Sequence, residues 1–353
     1  MSLLMHTCAC IRSVDHEAAR QTQKLLDEKT KPHGSLGMLE QLACRLAAIG
    51  GRAEGVLDGK AVVVMAADHG VAEEGVSAYP AEVTEQMVAN FAHGGAAINV
   101  LARQAKAQVV VVNMGTKRRG VEIPCIRDAW LGPGTANFAQ GPAMTMQQAL
   151  QGVDIGIQLA TELCAAGIGL IGVGEMGIGN TTAASAMTAV FTGDAPERVT
   201  GRGTGIDEAT WKRKVDVIEK ALAIHQPRRD QPLEVLARVG GFELAGLAGV
   251  MLGAAAQRVP IVLDGFITGA AALAAVGLCP LVRDYLIASH QSVEPGHRRI
   301  LDHLELRPLF NLDMRLGEGT GAVLAMYLIE ASLRIVREMA TFRSAGITTS
   351  FVG

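Results

Sequence analysis

Five short apolar runs constrain the fold of this chain more than anything else in it: AVVVMAA (61–67), QVVVVNM (108–114), IGLIGV (168–173), VPIVLD (259–264) and YLIAS (285–289). They are continuous rather than alternating, as strands covered on both faces must be. Between and beside them lie helical stretches at 81–91, 95–105, 146–166, 181–191, 212–224 and 244–256. Strands alternating with helices predict an α/β fold with a parallel sheet and helices on both faces. Residues 14–50 hold two charged amphipathic helical stretches joined by KPHGSLG, and 320–343 form one long amphipathic helix. Neither terminal segment has a strand to offer. The two are expected to pack together as a small helical subdomain (1–50 with 320–353) beside a large α/β domain (51–319).

Each run ends in small polar residues or glycine. These ends are Asp68-His69-Gly70, Asn113-Met114-Gly115, Gly174-Glu175-Met176-Gly177, Asp264-Gly265-Phe266 and Ser289-His290-Gln291-Ser292. In open α/β sheets ligands bind outside the carboxyl ends of the strands, so five such ends together predict one site. The chain carries 41 glycines in 353 residues, well above the roughly 7% of average proteins. With no G-X-Y period, the surplus is expected in turns and where backbone approaches something closely.

The sharpest pattern is LIGVGEMGIGNTTAASAM (170–187), an apolar strand running through a glycine-rich turn into an Ala-rich helix. Backbone N–H groups at such a helix start can hold a phosphate, with Gly177 and Gly179 letting it come close. The alternative is that Asn180-Thr181-Thr182 simply caps the helix. Lys214 offers either a charge for a single phosphate or a solvated helix face. The segment also contains G-x-G-x-x-G at Gly172, Gly174 and Gly177, with Asp194 further on, which imitates a dinucleotide fingerprint. The imitation is imperfect, because Gly172 lies inside the apolar run. No G-K-[ST] follows the turn, which removes a P-loop.

In MRLGEGTGAVLAM (314–326), Glu318 stands between Gly317 and Gly319 just before an apolar helix. It is a candidate general base, or a helix-terminal carboxylate worth about 0.3–1 kcal/mol. A helix start lowers its pKa and an apolar pocket raises it, and the sequence does not rank the two. His69 and His290 lack the partners of a zinc-protease motif and read first as hydrogen-bonded structural residues. No G-x-S-x-G marks a Ser–His hydrolase.

Other classes fall on bulk properties. A net charge of −3 gives no electrostatic case for nucleic acid. Residues 265–282 are uncharged but contain Thr268 and Pro280, and fit a strand exit and buried helix better than a membrane span. The N-terminus lacks the basic start of a secretory signal and is expected as a mobile end. The cysteines at 8, 10, 44, 125, 164 and 279 form no C-x-x-C pair. Free thiols in the cytoplasm, no metal and no cofactor are the expectation.

The ordered motifs KPHGSLGMLEQLA (31–43), AADHGVAEEGVSAYP (66–80), GVGEMGIGNTTAASA (172–186), GVMLGAA (249–255), VLDGFITGAAALAA (262–275), SHQSVEPGH (289–297) and MRLGEGTGAVLAM closely resemble the nicotinate-nucleotide–dimethylbenzimidazole phosphoribosyltransferases. They span nearly the whole chain, least of all the first dozen residues and the tail SAGITTSFVG. The resemblance implies a Rossmann-like large domain, a small helical domain from both termini, and a homodimer with sites near the subunit interface. It implies transfer of 5-phosphoribosyl from nicotinate mononucleotide to 5,6-dimethylbenzimidazole, giving α-ribazole 5′-phosphate for the lower ligand of cobalamin. It makes Glu318 the catalytic base, with Glu175 a second carboxylate near the ribose or the developing positive charge. Phosphate and ribose fall to Gly174, Met176, Gly177, Ile178, Gly179, Asn180, Thr181, Lys214, Asp264, Gly265, Ser289 and Ser292. The acceptor base falls to Tyr79, Met87, Leu316 and Gly317, and part of the family has Ser and Gln in place of Tyr79 and Met87. Two other classes stay in view: an NAD(P)-binding oxidoreductase using the glycine turn, and a non-catalytic protein that binds a nucleotide or base.

Overall fold

The computed structural model describes residues 2–53, 57–118, 125–203 and 205–348. Six strands, β1 (Gly59–Ala67), β2 (Gln108–Gly115), β3 (Ile126–Asp128), β4 (Ile168–Met176), β5 (Ile261–Leu263) and β6 (Leu286–Ala288), form one sheet in the order β3-β2-β1-β4-β5-β6. Every pairing is parallel. The apolar runs at 259–264 and 285–289 shrink to three paired residues each. The sixth strand, β3, was not expected: it is three residues long and two of them are charged, so no apolar run announces it.

The helices are α1 (Leu3–Cys10), α2 (His16–Asp27), α3 (Met38–Gly50), α4 (Glu82–Ala92), α5 (Ala97–Ala105), α6 (Met146–Ala165), α7 (Asn180–Thr192), α8 (Pro196–Val199), α9 (Glu208–His225), α10 (Pro232–Val239), α11 (Phe242–Ala256), α12 (Phe266–Leu278), α13 (Pro295–Leu304), α14 (Thr320–Glu338) and α15 (Phe342–Ala345). The apolar run of β1 divides between two cores because successive side chains point to opposite faces. Val63 and Met65 meet α6 and α11 on one face, with Val153, Ile157, Leu247 and Val250. Val62 and Val64 meet α3, α5 and α14 on the other, with Leu46, Ile98, Val323 and Met326. Residues 265–282 are a strand exit leading into the buried helix α12, and no described helix is long and apolar enough to cross a membrane.

α14 packs against α2 and α3, and also lies on the sheet against β4 and β5. It stops at Glu338, short of the expected 343, because Met339 turns extended at φ −70°, ψ 133°. Near the expected mobile end, Leu3–Cys10 form α1, which is capped by Ser2 Oγ and packs on α6 and α11. Of the C-terminal tail, residues 349–353 lie outside the described residues. The strand order reverses between β1 and β4, which opens a crevice at their carboxyl ends.

Candidate active site

A cavity of about 350 Å³ opens at that crevice, within the range of small-molecule sites. One wall is the turn after β4, with Met176, Gly177, Ile178, Asn180 and Thr181. The opposite wall is the loop before α14, with Leu316, Gly317 and Glu318, and Tyr79 and Met87 close the apolar side. Glu175, Gly265 and Ser292 complete the expected residues that reach it.

The loop holding Glu318 is unusual backbone. Gly317, Glu318 and Gly319 have φ values of 87°, 63° and 89°, three left-handed residues in a row. For a glutamate that conformation costs about 1–2 kcal/mol, so something must hold it. Asp264 does. Its Oδ2 accepts from Gly319 N at 2.9 Å, and its Oδ1 from Gly321 N at 2.7 Å and Ala322 N at 3.3 Å. From β4, Gly174 presses on the same turn with no side chain between. Glu318 itself is 6% exposed, and its Oε2 accepts from Ile98 N at 3.3 Å. Burial raises its pKa above the usual carboxylate range, and the Ile98 N–H only partly offsets that. The structure therefore ranks the two effects that the sequence left open.

Glu175 lies beneath Gly317, and its Oε2 accepts from the Asn180 amide. Burial, then the charges of Asp264 and Glu243, push its pKa to about 8. Asp264 is raised to about 7 by burial, against its three N–H donors. Lys214 is 1% exposed, donates to Thr181 Oγ1 at 2.7 Å and is lowered to about 8 by burial.

Five of the expected ligand residues do not line the cavity. Gly174, Gly179, Lys214, Asp264 and Ser289 stand one layer behind its wall: Gly179 against His69, and Ser289 Oγ bonded to the Asp264 carbonyl at 2.9 Å. At the α7 start, Asn180 N and Thr182 N close on the Gly177 and Gly179 carbonyls, and Ile178 N on Thr84 Oγ1. Thr181, whose N–H makes no such bond among the described residues, lines the cavity. Gly172 is inside β4, where a Cβ would crowd Met326 and Ala322, and Asp194 is paired with Arg299. Gly172 thus serves packing against α14.

Sequence reasoning missed Val83, Ile267, Glu294 and Arg315, all in the wall; Phe266 and His290 stood at strand ends expected to form the site, His290 reading first as structural, and both line the cavity, as Gly203 does. His290 stacks on Phe310 with ring centroids 5.8 Å apart, and burial lowers its pKa to about 4, so it is neutral. Glu294 and Arg315 lie within quoted motifs, but what ties them to the site is Gly203: its N–H donates to Glu294 at 2.9 Å and its carbonyl accepts from Arg315 at 3.2 Å. Such pairing across 91 and 112 residues leaves no local pattern. His69, by contrast, is fully buried on Glu243 at 2.7 Å. Among the described residues no cluster of three or more His, Cys, Asp or Glu side chains could hold a metal.

A family model described as Phosphoribosyltransferase matches residues 11–347. The chain belongs to the phosphoribosyltransferase family. A relative from Chloroflexus aggregans, named nicotinate-nucleotide–dimethylbenzimidazole phosphoribosyltransferase, is 55% identical over 99% of both chains. One of the same name from Geobacter metallireducens is 52% identical over 98% of each. Two crystal structures from Thermus thermophilus match the fold. One is of the enzyme of that name, at 48% identity and a TM-score of 0.90; the other is of CobT, at 50% and 0.91. Both cover 95% of this chain and 100% of their own.

Proposed function

We propose that this phosphoribosyltransferase transfers 5-phosphoribosyl from nicotinate mononucleotide to 5,6-dimethylbenzimidazole, giving α-ribazole 5′-phosphate and nicotinate. The observation that carries the reading is Glu318, a buried carboxylate of raised pKa clamped in a left-handed turn at the cavity wall. The acceptor base lies against Tyr79, Met87, Leu316 and Gly317. Its unprotonated ring nitrogen attacks the anomeric carbon, and the proton on its other nitrogen passes to Glu318. The C–N bond to nicotinate breaks with its electron pair going to the pyridine nitrogen, which was cationic and becomes neutral. No strong acid is needed on the leaving side. Glu175, protonated near neutrality, donates to the ribose from beneath Gly317.

The phosphate sits at Thr181 N, Gly203 and Arg315, with the Lys214 ammonium behind Thr181. Since burial holds Lys214 at about 8, its charge is present below that pH and lost above it. The KM for nicotinate mononucleotide should rise as pH passes through about 8. Lys214→Met should raise it at least tenfold at pH 7 and weaken that dependence, leaving the part owed to Glu175.

Tyr79 and Leu316 are 53% and 58% exposed at the cavity mouth, which suits cover by a second copy of the chain in a cytoplasmic homodimer. The test is direct. Purified protein, sedimenting as two chains, should release nicotinate from the mononucleotide only when dimethylbenzimidazole is added. No release in its presence sinks the reading. An NAD(P)-binding oxidoreductase has no support left, because Gly172 is taken up by α14 packing.

A further inference from the structure

A second cavity, of about 420 Å³, lies between α2 and α3 on one side and β6 and the end of α13 on the other. Its walls are largely apolar, with Leu42, Ile287, Leu304, Leu306 and Leu309. Into it comes Arg45, from α3. The Arg45 Nη2 donates to the Arg283 carbonyl at 3.1 Å, and its Nε is buried with no hydrogen-bond partner among the described residues. Three arginines and two carboxylates line the cavity. Both carboxylates, Asp284 and Glu305, are engaged by Arg283, and neither forms an ion pair with Arg45. Arg45 is half-buried, and the partial loss of water around its guanidinium lowers its pKa, against the charge of Asp284.

We propose that this cavity binds a small organic monocarboxylate whose apolar body fills the leucine-lined space while its carboxylate pairs with Arg45. Arg45 and Arg307 both line the cavity with no ion-pair partner among the described residues, and Arg gives a carboxylate the two-pronged donor set it prefers. The site is separate from the active cavity: Ala288 and Leu309 line this one, whereas His290 and Glu318 line the other.

The probe is 4-bromobenzoate, titrated calorimetrically into the full-length protein with nicotinate mononucleotide at saturation, so that the active cavity is occupied. One saturable site per chain is expected, weakened at least tenfold in Arg45→Met. Without ligand, that variant should melt close to the wild type, because the charge it removes is half-exposed and forms no ion pair. A crystal of the wild-type protein soaked with the probe gives a second reading that needs no variant. Bromine anomalous density beside Leu306 with the carboxylate on Arg45 supports the proposal. Absence of saturable binding, undiminished binding by Arg45→Met, or bromine only in the active cavity overturns it.

Discussion

Replacing Glu318 by Gln should lower kcat by about 10²- to 10⁴-fold, the usual contribution of a positioned general base, and leave the KM for nicotinate mononucleotide within about threefold. The amide keeps the size of the side chain and keeps a carbonyl oxygen to accept from Ile98 N. It cannot take a proton. The turn around it should also survive, because Asp264 holds the backbone N–H groups of Gly319, Gly321 and Ala322 and does not touch the side chain. Nicotinate release under saturating substrates measures the effect, and the thermal midpoint checks the fold. The pH profile supplies an independent sign. Glu318 accepts a proton only when ionised, and its pKa is raised, so the rate should fall as pH drops through a value above the ordinary glutamate range. Glu318→Gln should lose that acid limb along with most of its turnover. A variant with wild-type kcat would remove Glu318 from the chemistry and leave it a strained structural residue.

Glu318 was legible in the sequence because its signal is local: a lone carboxylate between two glycines at a helix start. The same holds for the β4 turn and for β1, β2 and β4, whose apolar runs are covered on both faces and therefore unbroken. What lay hidden depends on distant pairing. Strand β3 owes its existence to the edge of β2, where Ile126, Arg127 and Asp128 register against Val111, Val112 and Asn113. Asp264 was assigned to ligand from its place at a strand end, yet it turns toward backbone 55 residues away. Ser289 and Lys214 likewise face the wall from behind. A strand-end position predicts that a residue is near the site, and it does not say which way the side chain points.

Gly156→Ala should destabilise the protein by about 2 kcal/mol, an effect that bears on the glycine surplus itself. Glycine was expected chiefly in turns and around the ligand. A distinct group stands instead in the middle of two helices, where helix propensity disfavours it by about 1 kcal/mol each. Gly152 and Gly156 on α6 lie against the backbone or Ala245 of α11, and Gly249 and Gly253 on α11 against the α6 backbone, while Gly246 makes room for Met65 and Met114. A Cβ on Gly156 would lie 2.6 Å from Val250 N and closer still to the Gly246 carbonyl; one on Gly249 would meet the Val153 carbonyl and Gly156 Cα at 3.0 Å. These neighbours are backbone and cannot swing aside, so the overpacking cost falls near the upper end of about 1–3 kcal/mol. Subtracting the propensity that alanine regains leaves the net figure. Urea unfolding measures it, and Gly50→Ala is the control, since Gly50 ends α3 with nothing within 4 Å of its Cβ position. That variant should be neutral or slightly stabilised. Equal stability for both would mean that the helices have room to separate. Close approach matters here because α11 also carries Glu243, whose charge helps raise Glu175. Helices pushed apart by Gly156→Ala would shift that carboxylate's setting as well as the melting point, so the glycines that never touch substrate still set the chemistry of the ones that do.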